Sequence, residues 1–282
     1  MSYTIQYAYF SIPGKVRGNH EDNLYIDRTV LPLENTGTNG VINGFLLSDT
    51  HPLIGVFDGM GGESSGEVAS FIAADTIRRI DTDRTAGTTY CMGTGCSSDT
   101  LQQNDMDDSG QGIKQDDLRE PGTLCLEMNR EVCSYAKEKR IRSMGTTAVC
   151  LRFSDQEAQF ANVGDSRIYH IGKDGICRIT EDQVMKSIFY AKPPLTQYLG
   201  MEDEEMALLP QTGKIPVNIG DRFLLCTDGV TDMLSDEDIS EIIKSEENSA
   251  ACLEKLMQSI LLTEAKDNAT AVLCSISMSS AN

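Results

Sequence analysis

The sequence predicts an α+β fold built on antiparallel strands, on three observations. Apolar runs of strand length end repeatedly in acidic or glycine turns, four segments carry helical periodicity, and the two kinds of segment occur in separate runs rather than in strict alternation. The strand signals are Leu53–Phe57 before Asp58, Thr147–Phe153, Ala158–Val163 before Gly164-Asp165, Arg167–Ile171, Phe223–Cys226 before Thr227-Asp228, and Ala269–Ile276. Tight spacing among the second, third and fourth of these predicts hairpins and an antiparallel meander.

The first helix is predicted over Glu67–Ile80, where Ala69, Ile72, Ala73, Ile77 and Ile80 fall on one face. Leu124, Cys125, Met128, Val132, Tyr135 and Ala136 mark a second. Ser235-Asp236-Glu237-Asp238 reads as a capping box opening a short helix with Ile239, Ile242 and Ile243 inside. Leu253, Leu256, Met257, Ile260 and Leu261 mark a fourth. Between about 82 and 122 the chain is rich in Thr, Gly, Ser, Gln and Asp with few large apolar residues. Such a segment buries too little surface to offset its ordering entropy, which predicts a flexible insertion inside a single domain spanning 1–282.

The 282 residues carry 24 Lys+Arg against 43 Asp+Glu, a formal charge of −19. That balance excludes nucleic-acid backbones and anionic membranes as expected partners, since both are repelled over a broad front. No run of about 18 apolar residues occurs, and the start, Met1-Ser2-Tyr3-Thr4-Ile5, has neither a basic nor an apolar signal region. Nine cysteines without a C-x-x-C pair read as reduced, mostly buried thiols, which fits a cytoplasmic location. Cys91 and Cys96 lie in the insertion, where a surface loop is the better reading than a redox role. His20, His51 and His170 show no ligand spacing with one another or with the cysteines.

Acidic residues sit beside Gly or Asn at strand edges in four places: Asn19-His20-Glu21-Asp22-Asn23, Phe57-Asp58-Gly59-Met60-Gly61-Gly62, Thr227-Asp228-Gly229 and Asp267-Asn268-Ala269. Any one Asp-Gly is ordinary turn chemistry. Three glycines in five positions after a buried strand, however, let the backbone approach something closely. If the four places converge, their charge must be neutralised, and an oxygen-only donor set suits Mg²⁺ or Mn²⁺ over Zn²⁺.

Taken together and in order, Val16–Asp22, Val56–Gly62, Met144–Ala148, Asn162–Arg167, Leu225–Asp232 and Asp267–Thr270 resemble the motifs of the metal-dependent protein phosphatases of the PPM family, the type-2C-like serine/threonine phosphatases, in their compact bacterial branch. The resemblance spans nearly the whole chain. It implies a four-layer α-β-β-α sandwich with two central, mostly antiparallel sheets and a two-metal site at one end. It further implies that Asp58 bridges two Mg²⁺ or Mn²⁺ ions, that the Gly59 carbonyl ligates one, that Asp228 and Asp267 hold one, and that Glu21 serves the other. Asp22 would orient metal-bound water and Arg17 would grip the substrate phosphate. Gly164-Asp165-Ser166-Arg167 would support the fold through a turn.

The activity so implied is hydrolysis of phosphoserine and phosphothreonine in proteins by water activated between two metals, a route that needs no protein nucleophile. The expected partners are phosphorylated proteins, targets of a serine/threonine kinase, met by a monomer. The alternative is a silent or weakly active binding module on the same fold. Three departures stand out. Met60 takes the place where some relatives carry a histidine. Lys139-Arg140-Ile141-Arg142-Ser143 is basic where many place a third-metal aspartate, which leaves Asp232 as half of that site. The segment from Thr180–Gln183 to Leu195–Gly200 is shorter than the usual substrate-facing flap.

Overall fold

A computed structural model of the chain describes residues 2–60, 65–86, 119–186, 193–202 and 206–279. Two antiparallel sheets form the centre. The first has the order β10 (Gly175–Arg178), β9 (Arg167–Gly172), β12 (Arg222–Cys226), β13 (Ala269–Met278), β1 (Tyr3–Ile12), β4 (Ile42–Leu47). The second runs β11 (Gln211–Pro216), β8 (Glu157–Val163), β7 (Ala148–Phe153), β5 (Leu53–Met60), β2 (Asp22–Ile26), β3 (Thr29–Val30), with β6 (Gly145–Thr146) pairing the end of β5.

Alternation of side chains along the strands builds three apolar layers. Ile54 and Val56 of β5, Val272 and Cys274 of β13, and Tyr7 and Tyr9 of β1 face one another between the sheets. The opposite faces are buried too. Leu53 and Phe57 pack under α1 (Gly66–Ala86) and α2 (Pro121–Lys139). Leu224 and Leu273 pack under α4 (Asp236–Ser245) and α5 (Ser249–Leu262). The result is the α-β-β-α sandwich, and burial on both faces explains why the central strands read as continuous apolar runs. The Ser235 capping box is present in both directions, and Asn248 caps α5 by accepting from the Ala250 and Ala251 amides. No helix among the described residues is long and apolar enough to cross a membrane.

The structure corrects the expected meander. β7 and β8 pair as predicted, but β9 pairs β12 in the other sheet. The chain crosses between sheets at Gly164, whose φ of +103° a residue with a side chain would resist. A Cβ there would also meet Thr147 Cγ2 at 2.7 Å. Helix α1 runs on to Ala86 and α2 starts at Pro121, with Arg119 already buried, so the ends of the expected insertion are ordered. The rest of it, with Cys91 and Cys96, lies outside the described residues.

Candidate metal centre

Register and side-chain parity bring the acidic motifs to one end of the seam between the sheets. Asp22 pairs directly with Asp58 across β2 and β5. Asp58 shares its face with Val56 and Ile54, and Asp22 shares its face with Leu24 and Ile26, all members of the inter-sheet core. Both carboxylates therefore continue that core to its open end. In the other sheet Cys226 pairs Ala271 and Ile12 pairs Ala269, which puts Asp228, Asp267 and the loop after Ile12 at the same end.

A pocket of about 390 Å³ opens there, with Arg17, Glu21, Asp58, Asp228 and Asp267 in its wall beside the backbone of Gly59. The structure thus brings together six of the eight residues named from the sequence. Asp22 lies just behind, fully buried, and accepts the Thr227 hydroxyl at 3.0 Å. Asp232 sits one turn beyond Asp228, past the short helix α3 (Asp228–Thr231), with its amide bonded to the Asp228 carbonyl at 2.7 Å. It is not part of the pocket wall.

Backbone bonds fix each acidic residue. The Asp58 carbonyl accepts the Thr146 hydroxyl and the Thr147 amide, each at 2.9 Å, and its amide donates to Thr147 Oγ1 at 3.1 Å. This is what the Met144–Ala148 stretch does. Gly59 N donates to the Glu21 carbonyl at 3.1 Å. A Cβ on Gly59 would collide with the Gly66 carbonyl and come within 2.6 Å of Glu21 O, so only glycine permits this approach.

Packing so many carboxylates together has an electrostatic cost. Burial pushes Asp58 well above the ordinary carboxylate range, and Asp228, Asp22, Asp165 and Asp267 push it further. Burial likewise raises Asp22 to about 8, opposed by the hydroxyls of Thr270 and Thr227 and reinforced by Asp228 and Asp267. Glu21 is raised by burial, with Arg17 opposing and Glu67 and Asp267 adding. Arg17 Nη2 bonds Asp267 Oδ2 at 2.7 Å, and that bond is the first cause of its raised pKa. Among the described residues, no three His, Cys, Asp or Glu side chains stand in a ready-made ligating arrangement. The acidic residues share a wall without closing on one point.

Sequence reasoning missed several members. Asp165, read as a turn residue, also lines the pocket, as do Thr147 and Pro193, Pro194 and Leu195. Glu67 stands close enough to act on Glu21. An aspartate after a strand and glycine was the available signal for Asp165. Thr147 lies in the Met144–Ala148 motif, which carried no site role of its own, and nothing in the sequence marks Glu67.

Comparison with known proteins identifies the family. The family model for protein phosphatase 2C matches residues 44–273, well over half of the chain. The chain belongs to the protein phosphatase 2C family. Among this family's curated members it is similar to the serine/threonine phosphatase stp of Listeria innocua, 28% identical over 82% of this chain and 80% of that protein. It is 24% identical to the serine/threonine protein phosphatase PstP of Mycobacterium tuberculosis over 98% of this chain, yet spans only 46% of that relative's length. The crystal structure of a PstP catalytic domain in complex with two manganese ions superposes over 98% of this chain and 100% of that one, with a TM-score of 0.67 at 22% identity. The fold is therefore that of this phosphatase family.

Proposed function

We propose that the chain is a metal-dependent protein serine/threonine phosphatase that hydrolyses phosphoserine and phosphothreonine, using Mg²⁺ or Mn²⁺ held in the pocket at the end of the sheet seam. The observation that carries the reading is the meeting of Glu21, Asp58, Asp228 and Asp267, from four distant parts of the chain, around one pocket with Arg17 at its edge.

The donors fit hard divalent cations: they are carboxylate oxygens and backbone, with no thiol or imidazole in the pocket wall. The raised Asp58, Asp22 and Glu21 describe a site whose charge is too dense to be held without cations. In this reading the residues that would hold the two ions are Asp58, Asp228, Asp267 and Glu21, with the Gly59 carbonyl as a further oxygen donor. Such a pair supplies a water of lowered pKa and screens the incoming phosphate. Arg17 turns its guanidinium from Asp267 to two phosphate oxygens, a geometry that a planar fork matches. Asp22 is buried beside the seam and offers a carboxylate oxygen that has no partner of its own, Oδ1, as acceptor for a proton of the attacking water. Met60 lines the pocket where it can donate no proton, so the proton for the leaving alkoxide would come from metal-bound water or another donor.

The partners in this reading are phosphorylated proteins, substrates of a serine/threonine kinase, and the described chain works as one catalytic domain. The test is hydrolysis of para-nitrophenyl phosphate and of phosphothreonine peptides with added Mn²⁺. Activity should appear with Mn²⁺ and vanish in EDTA. Equal rates in Mn²⁺ and EDTA overturn the reading, and a folded protein inert toward every ester in Mn²⁺ favours the binding module.

A further inference from the structure

The strip of chain that holds Asp58 is itself thinly held. Both backbone polar groups of Asp58 bond to it: the carbonyl accepts the Thr146 hydroxyl and the Thr147 amide, and the amide donates to Thr147 Oγ1. Yet β6 is only two residues long. On one side it lies on the end of β5, with Thr146 opposite Gly59. On the other side Thr146 makes a single antiparallel pair with Leu199. Its amide donates to the Leu199 carbonyl at 3.0 Å, and its carbonyl accepts the Leu199 amide at 2.8 Å. Two-stranded contacts are marginal in isolation even at full length, so one pair does not fix a register.

Asn129 of α2 supplies the missing constraint. Directly after Leu199 the chain turns at Gly200, whose φ is +107°, and a Cβ there would lie 2.3 Å from the Met144 carbonyl. The turn takes the Gly200 amide and the Met201 carbonyl out of the ladder, which leaves two backbone groups to be paired beneath α2. Asn129, 6% exposed, meets both: its Oδ1 accepts the Gly200 amide at 2.7 Å and its Nδ2 donates to the Met201 carbonyl at 3.0 Å. A carboxamide suits this task because it presents an acceptor and a donor side by side. The Cys133 thiol also reaches the Met201 carbonyl, at 3.3 Å. Among the described residues only Asn129 accepts the Gly200 amide. Helix α2 contributes no residue to the pocket wall, so this side chain acts on the site only through the backbone it holds.

We propose that Asn129 is a positioning residue for Asp58: from α2, through Gly200, Leu199 and Thr146, it fixes the backbone that presents the Asp58 carboxylate to the cations. The inference rests on the phosphatase reading above and deepens it by tying the metal pocket to a helix that stands outside it.

Two measurements test it. The first is residue-resolved amide hydrogen exchange of the full chain in EDTA, which needs neither metal nor substrate. In the wild type the amides of Thr146, Leu199 and Gly200 should open as one unit, with protection within about tenfold of one another. A Gly200 amide that exchanges freely overturns the proposal without any variant, so the test survives an Asn129→Ala protein that does not fold. In folded Asn129→Ala the Thr146, Thr147 and Leu199 amides should exchange at least about tenfold faster, while those of β12 and β13 keep their rates. A uniform rise across all protected amides makes Asn129 purely structural and overturns the role. The second measurement is Mn²⁺ binding by calorimetry without substrate. Asn129→Ala and Thr146→Val should each weaken it about tenfold, the low end for loss of a residue that orients a metal ligand. Thr146→Ser, which keeps the hydroxyl, should stay within about twofold of wild type. The double variant should bind no more weakly than the worse single one, since both cut the same connection. Losses that multiply, or unchanged Mn²⁺ binding by folded Asn129→Ala, overturn the proposal. A wild type that binds Mn²⁺ with this pattern yet hydrolyses no ester counts against the phosphatase reading and leaves the role of Asn129 standing. A wild type that binds no Mn²⁺ fails that reading too, and the exchange pattern then decides whether Asn129 fixes the Asp58 backbone.

Discussion

Asn268 holds Glu21 in place: its Oδ1 accepts the Glu21 amide at 2.8 Å, while its Nδ2 donates to the carbonyls of Pro13 at 2.9 Å and Asn19 at 3.1 Å. One buried side chain at the start of β13 thus clamps the loop that carries both Arg17 and Glu21. Asn268→Ala would leave an amide and two carbonyls unsatisfied. Stability should fall by about 2–4 kcal/mol, and the Mn²⁺ midpoint should rise because Glu21 is no longer held. Urea unfolding and a Mn²⁺ titration of activity check the two effects. A variant with wild-type metal affinity would show that the clamp does not position Glu21.

Asp58→Asn is expected to stabilise the metal-free protein while abolishing its activity. The carboxylate is buried, and stands among Asp228, Asp22, Asp165 and Asp267, so an isosteric amide relieves desolvation and repulsion that otherwise oppose folding. In EDTA the melting temperature should rise by about 2–6 °C. Added Mn²⁺, which should raise the wild-type melting temperature, should no longer do so, and turnover should drop at least about 10²-fold. Scanning fluorimetry with and without Mn²⁺ separates the outcomes. A variant less stable than wild type in EDTA would mean that Asp58 is satisfied by its surroundings without cations.

The acidic motifs were legible because Asp58 follows an apolar run directly, Asp228 follows one after a single threonine, and both are followed by glycine. What they meet was not legible. Thr227 is an ordinary residue by type, and it becomes a partner of Asp22 only when the two sheets face each other. The central strands β5, β12 and β13 declare themselves because both faces are buried. β1 does not, since Thr4, Gln6 and Ser11 interrupt its apolar residues, although Pro13-Gly14 marks a turn directly after it. Periodicity also says nothing about which sheet a strand joins, so the crossing at Gly164 between β8 and β9 read as one more hairpin.

Arg17→Ala should separate phosphate binding from metal binding. Arg17 is half exposed and its guanidinium lies on Asp267 Oδ2, at 2.7 Å. Removing it takes away one charged donor to phosphate, so KM for a phosphopeptide should rise about ten- to hundredfold. It also removes a cation that competes for Asp267, so the Mn²⁺ midpoint should stay the same or fall. Steady-state kinetics at several Mn²⁺ concentrations resolve the two. A weakened Mn²⁺ response with KM unchanged would reassign Arg17 to organising Asp267.

Alkaline pH should unfold this protein through its buried neutral acids. Burial pushes the Cys226 thiol up to about 12 and, with Asp27 adding to it, pushes Tyr7 up to about 12 as well. In the unfolded chain such groups ionise near ~8.5 and ~10. Their folded pKa values are the higher ones, so the stability they contribute is complete below about pH 8.5 and is lost as pH climbs toward 12. Each such proton steepens the fall by about 1.4 kcal/mol per pH unit within its window. Urea midpoints measured from pH 7 to 11 should hold until about pH 8.5 and then decline. Thiol labelling supplies the molecular check: at pH 8 exposed Cys177 should react with a disulfide reagent while Cys226, Cys252 and Cys274 stay protected until urea is added. A flat midpoint to pH 11, or rapid labelling of Cys226 in the native protein, would mean that the buried layers admit water and do not keep these groups neutral.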